Sequence, residues 1–248
     1  MLTLLFVITF ALIGPCTDTS AASPTFVFGE DAHRLLDSLQ SNKSDDFLTM
    51  GILAHNISFR EKDKDMTEKA KDFLSSCADS VNQHTRAAYQ GTLKLLKIRD
   101  KAKINAAIST VCSFFGGESL YTKARKAFGE ISEALAKDST NIEIRFLRAN
   151  VAVEIAEHLP ELLDTALVDL DYLSREMCMD SVQLFYFHLT WAKYCYKFYV
   201  ANPKDHYPLS LGRGWVEMST MYVQSSSQRK EYELWSAHIA DAMTKHKI

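Results

Sequence analysis

The sequence predicts an all-α protein made of antiparallel helix pairs, and three observations predict it. Glycine and proline are sparse, 9 and 5 in 248 residues, too few of the turn residues that a many-stranded β fold needs. Between residues 25 and 202 the single proline is Pro160, placed where the first turn of a helix tolerates a missing N–H. From Asp31 onward apolar residues recur every three or four positions, and no apolar/polar alternation outlasts four residues. That is the period of a helix face, not of a strand.

Each element can be justified in turn. A first helix over 32–39 follows Glu30 and Asp31, acidic residues suited to the positive end of a helix dipole. Ser44-Asp45-Asp46 caps the next, with Phe47, Leu48, Ile52 and Leu53 as its apolar stripe. The run from Arg60 to Asp65 alternates in sign and has no apolar face, so it reads as a solvated turn. Further helical windows fall at 66–80, 84–98, 101–115, 118–136, 141–157, 160–176, 180–200, 208–224 and 229–245. Within the 208–224 window, Leu211-Gly212-Arg213-Gly214 reads as an interruption or loop.

The start of the chain stands apart. Residues 1–13 carry no charge and are followed by Gly14-Pro15-Cys16 and, further on, Ala21-Ala22. An apolar run this short is below the 17 or so residues that span a bilayer, but it suits a secretion signal. Residues 1–22 are therefore expected to be an export signal, and 23–248 one helical domain. Processing after Ala22 would release a soluble protein; attachment of lipid at Cys16 would give a lipoprotein. No Lys or Arg precedes Arg34, so the basic leader of either signal is missing. Four other cysteines, Cys77, Cys112, Cys178 and Cys195, show no metal-binding spacing. Cys77 and Cys112 sit among helical apolar residues, as buried free thiols do; two disulfides are the alternative in an exported chain.

Lys plus Arg number 28 and Asp plus Glu 31, a formal net charge of −3, which gives no basic footprint for nucleic acid. The eight histidines form no His-Glu-x-x-His, and neither a Gly-x-Ser-x-Gly nor a phosphate-binding glycine loop occurs. Gly116-Gly117-Glu118 reads as a turn and helix start. Glu154 and His158 stand at i, i+4, more simply a surface pair than a catalytic one. The segment 184–199 is crowded with aromatics, among them Phe185, Tyr186, Phe187, Trp191, Tyr194 and Tyr196. Lys193, Lys197 and His188 argue against a membrane span there, leaving a core helix or the aromatic wall of a groove. The sequons at Asn42 and Asn56 would matter only in a eukaryotic secretory pathway.

Self-similarity comes next. In 127–139, Ala127, Ile131 and Ala134 fall at i, i+4 and i+7, small, large and small, with Ser139 five residues beyond. Residues 141–155 follow as a new first helix with Ala149 at its small position. Ala166, Leu170 and Leu173 repeat the spacing in the partner helix, and Ala70, Leu74, Cys77 and Gly91 form a weaker copy. These residues resemble divergent tetratricopeptide repeats of bacterial envelope proteins, clearly over 118–178 and more weakly over 66–200. The chain departs from that pattern at Arg145, where a large aromatic is usual, at Ser139, where proline is usual, and by an insertion of about five residues around Pro160. The alternative is a helical bundle without repeats.

The resemblance implies a stacked solenoid whose concave face is lined by the first helix of each pair, and a protein that works by binding a protein or peptide partner of the envelope. Carried onto 142–154 and 181–193, the concave positions are Glu143, Phe146, Asn150, Glu154, Phe185 and Lys193. Both phenylalanines are expected to be partly exposed in the groove. No cofactor, metal, nucleic acid or membrane contact is expected beyond a lipid on Cys16, and the oligomeric state is open. Two alternatives remain: a helical protein that binds a small solute beside an envelope transporter, and an enzyme whose helical active site carries no recognised motif.

Overall fold

The structure, a computed structural model, describes residues 23–78, 82–104, 119–176 and 179–246. Among these the fold is all-helical, with no strand and 83% of the residues in helical turns. After a 3-10 turn, Pro24–Phe26, ten helices follow: α1 Gly29–Ser41, α2 Phe47–Glu61, α3 Lys64–Ser76, α4 Gln83–Ile104, α5 Leu120–Lys137, α6 Ile142–Ile155, α7 Leu162–Glu176, α8 Ser181–Ala201, α9 Tyr207–Ser219 and α10 Ser226–His246. A second 3-10 turn, Thr220–Tyr222, joins α9 to the last connection.

Side-chain caps set most of the starts. Asp46 accepts from Thr49 N, Ser119 from Thr122 N and Asn141 from Ile144 N. Asp63 accepts from both Asp65 N and Met66 N. Asp180 and Gln183 form a reciprocal capping box. Each cap satisfies amides that the first turn leaves without a helical partner. Windows 84–98 and the start of 101–115 prove to be one helix, α4; the remainder of the second window, with Gly116 and Gly117, lies outside the described residues, as do Cys16, Cys112 and Cys178. Leu211 to Gly214 are helical, correcting the expected interruption. Gly212 packs closely there, since a Cβ on it would stand 3.1 Å from Cys195 Cβ and 3.3 Å from Ile239.

The helices pack in adjacent pairs, α2 on α3, α4 on α5, α6 on α7 and α8 on α9. The leading helices α2, α4, α6 and α8 also touch one another in succession, and each trailing helix touches the next leading one. Small residues allow these approaches: a Cβ on Gly51 of α2 would lie 2.7 Å from Leu74 of α3. Gly91 of α4 approaches the Ala127 carbonyl and Ile131 side chain of α5 to within 3.1 Å in the same sense. Ala127, Ala134, Ala149 and Ala166 are all buried, and Ala134→Leu is expected to cost about 1 to 3 kcal/mol by overpacking; an unchanged denaturant midpoint would contradict this. Arg145 of α6 lies over the Tyr172 ring of α7 at 3.8 Å. It shares the wholly buried Asp169 with Arg148, so a charge cluster ties this pair together. Cys77 and Cys195 are buried free thiols. Burial raises both, Cys195 to about 12, which keeps them unreactive.

The two ends of the described chain meet. The turn at Pro24–Phe26 packs on α2 and α8, while α10 returns to α1 and α8. Among the described residues no helix is long and apolar enough to cross a membrane.

Candidate functional site

The leading helices present one continuous face, and residues 23–28 run across it. Asn56 of α2 donates through Nδ2 to two backbone carbonyls of this segment, Pro24 O at 3.0 Å and Val27 O at 2.9 Å. His55 Nδ1 lies 3.1 Å from Asn56 Oδ1 and His55 Nε2 lies 2.7 Å from Thr92 of α4, so the clamp is itself held in place. Tyr89 of α4 donates to Thr25 Oγ1 at 3.2 Å. From α6, Glu143 accepts from the Ser23 hydroxyl, and the Phe146 ring packs on Phe26 at 4.2 Å between centroids. From α8, Tyr186 packs on Phe28 at 4.6 Å. Thr25, Phe26 and Phe28 are consequently buried, although a segment this short has no regular secondary structure beyond one turn.

Further along the same face four charges converge. Arg60 of α2 donates to Glu154 of α6 at 3.0 Å and lies 3.3 Å from Glu231 of α10. Lys193 of α8, fully buried, lies 3.3 Å from Glu154 and 3.5 Å from Glu231. Two cations and two carboxylates thus neutralise each other in a region closed by aromatic rings. The Arg60 guanidinium sits 4.9 Å from the Phe28 ring and the Lys193 ammonium 5.1 Å from that of Trp235. Burial opposes ionisation of Glu154, but Lys193 and Arg60 outweigh it and hold the carboxyl down at about 2. Glu231 is lowered by Arg60 and Lys193 against the same opposition. For Lys193 burial dominates and lowers the ammonium, whereas for Arg60 the two carboxylates prevail and raise it.

Between the segment and this quartet a cleft of about 310 Å³ stays open, bounded by Phe28, Arg60, Tyr186, Ser227, Glu231 and Leu234. The chain leaves the face at Gly29, whose φ of +58° suits glycine and where a Cβ would stand 2.7 Å from Ser227 Oγ. That hydroxyl accepts from Glu30 N at 2.8 Å. A second cleft of about 400 Å³ lies at the α6–α8 rim, beside Leu163, Lys197 and Phe198. Its lysine is already paired with Glu157.

The expected groove residues divide. Glu143, Phe146 and Glu154 do share the face of α6, at i, i+3 and i+11, and Lys193 joins Glu154. The expected exposure is corrected: Phe146 and Phe185 are both buried, Phe146 because Phe26 covers it. On α8 the residue that reaches the face is Tyr186, one position past Phe185. Asn150 is buried with its Oδ1 lacking a partner among the described residues. Lys193→Glu would place a third carboxylate among these groups. Glu154 pairs with Arg60 and Lys193 and not with His158, which lies beyond the end of α6. Two parts of this face escaped the sequence reading. Arg60 looked solvated within an alternating charge run but is largely withdrawn from solvent, its side chain 13% exposed, and residues 24–28 carry no periodic signal at all. Asn56, in a sequon, is also buried.

Among the described residues no cluster of His, Cys, Asp and Glu could hold a metal ion. Comparison with protein-family models, with curated proteins and with solved structures finds no match for the chain.

Proposed function

We propose that this chain is a non-catalytic binding protein of tetratricopeptide-like build, which takes an extended segment of a protein partner along the face of α2, α4, α6 and α8. The observation that carries this reading is the clamp: Asn56 gives both amide hydrogens to main-chain carbonyls, while wells at Phe146 and Tyr186 take alternate side chains. Main-chain hydrogen bonds supply affinity for any extended peptide, and pockets for alternate residues supply selectivity. The succession of contacts, leading helix to leading helix and trailing helix to the next leading one, supports a stacked repeat. Export, read from residues 1–22, would place the protein at the cell envelope, soluble or held by lipid on Cys16. Processing after Ala22 would make Ser23, at the edge of this face beside Glu143, the first residue of the mature chain.

Leu234 at the mouth of the cleft is exposed, so it can be changed without disturbing the core. Panning of a random peptide library against the full chain should enrich peptides whose capture falls at least about ten-fold on Leu234→Glu, since a charge at an apolar contact must be desolvated. No enrichment, or enrichment indifferent to this substitution, would overturn the reading.

A further inference from the structure

We infer that residues 23–28 are a tethered ligand of the groove, and that the partner it admits is an extended peptide of aromatic-x-aromatic pattern that continues past the second aromatic into the open cleft. The inference rests on the proposed binding function and names its ligand and its control.

The segment is bound as a peptide is bound. Its backbone is clamped by Asn56 and its threonine is hydrogen-bonded by Tyr89. Its two rings, Phe26 and Phe28, enter separate wells on α6 and α8. Every one of these contacts could be supplied by a second chain of the same local sequence.

A partner also has something to gain that the tethered segment cannot reach. The chain turns out of the groove at Gly29 to start α1, and the cleft beyond Phe28 is left open. Tyr186, only 2% exposed, lines this cleft, and its hydroxyl has no hydrogen-bond partner among the described residues. That hydroxyl is not sealed in the core but reaches the open cleft. A peptide that runs straight on would bring a carbonyl to accept from it. Direct competition then decides occupancy: the tether gives the segment an effective concentration on the order of millimolar, and the extra contact favours the longer peptide.

The probes are labelled Ser-Pro-Thr-Phe-Val-Phe, the same peptide extended by Ala-Ala, and a control with both Phe replaced by Ala. Binding is read by fluorescence anisotropy on the full chain. Phe26→Ala, which weakens the tethered ligand, should bind the hexapeptide at least about ten-fold more tightly than the unaltered chain, and adding Asn56→Ala should abolish that gain. The extended peptide should bind more tightly than the hexapeptide, and Tyr186→Phe should erase the difference. The control peptide should not bind. A Phe26→Ala chain with native helicity that binds no better than the unaltered one overturns the inference.

If Phe26→Ala fails to fold, hydrogen exchange on the unaltered chain decides. Amides of 25–28 should open more readily than those of α6 and lose protection in excess extended peptide while α6 keeps its own. Exchange of the segment in step with α6, unmoved by peptide, means that it is a fixed part of the core. In that event peptides selected by panning and lost on Leu234→Glu would still uphold the binding function, so the two failures are distinguishable.

Discussion

Glu154→Ala is expected to lower stability by about 1 to 3 kcal/mol, because it takes one of two carboxylates from the buried Lys193, while the partial exposure of Glu154 and Glu231 keeps the loss below that of a fully buried pair. Removing this carboxylate leaves Arg60 and Lys193 facing Glu231 alone, with one positive charge uncompensated inside the protein. Lys193→Met should cost a similar amount for the opposite reason, leaving two carboxylates on one guanidinium. The double variant Glu154→Ala with Lys193→Met keeps the neutral Arg60–Glu231 pair and should recover much of the loss. Urea unfolding of the three variants forms a coupling cycle; single losses below about 1 kcal/mol that simply add would contradict the quartet. Acid should act on the same groups. Glu154 and Glu231 ionise more readily in the folded than in the unfolded chain. Their contribution is therefore present above the ordinary value of 4.5 and is lost as pH falls below it, for Glu154 on the way to about 2.

A second acid effect is expected at higher pH, from His188. This residue is buried against Trp215, Tyr222 and Phe187, its Nδ1 has no partner among the described residues, and burial alone pushes it from 6.5 down to about 4. The unfolded chain takes up this proton first, so stability falls as pH drops from 6.5 to about 4 and is unaffected by this group below that. The full effect amounts to about 3 kcal/mol. His188→Phe should flatten the urea midpoint between pH 6.5 and 4.5, whatever its effect on the midpoint at neutral pH, because only the slope reports the proton. An unaltered slope in the variant would place the titration elsewhere.

How much of this could be read from the sequence varied with the kind of signal. The helices were legible because each buries a stripe at the helical period, and the α6 side of the groove was legible for the same reason, since Glu143, Phe146 and Glu154 repeat along one face. On α8 the period fails. Aromatic and aliphatic side chains surround that helix, almost all of them buried, so no polar side fixes its rotation, and Phe185 was chosen where Tyr186 belongs. Arg60 was hidden for another reason. Its withdrawal from solvent depends on Glu154 and Glu231, from helices 94 and 171 positions away, and no local pattern carries that information. The occupant of the groove, residues 24–28, is too short to have a period, and its role arises only when four helices are stacked beneath it.

The strap across the leading helices also bears on how the molecule comes apart. A plain stack of helix pairs holds each unit only to its neighbours, so its ends can fray while the middle persists, and its unfolding becomes gradual as it lengthens. Here residues 23–28 touch α2, α4, α6 and α8 at once, and α10 closes back onto α1 and α8. Each end is fastened to the far side of the array, so neither the first nor the last helix can peel away without opening contacts at the other. The consequence is a ring of dependence in place of a row: melting should be a single sharp event shared by all helices, and release of the strap would turn the same molecule into one that softens from its ends.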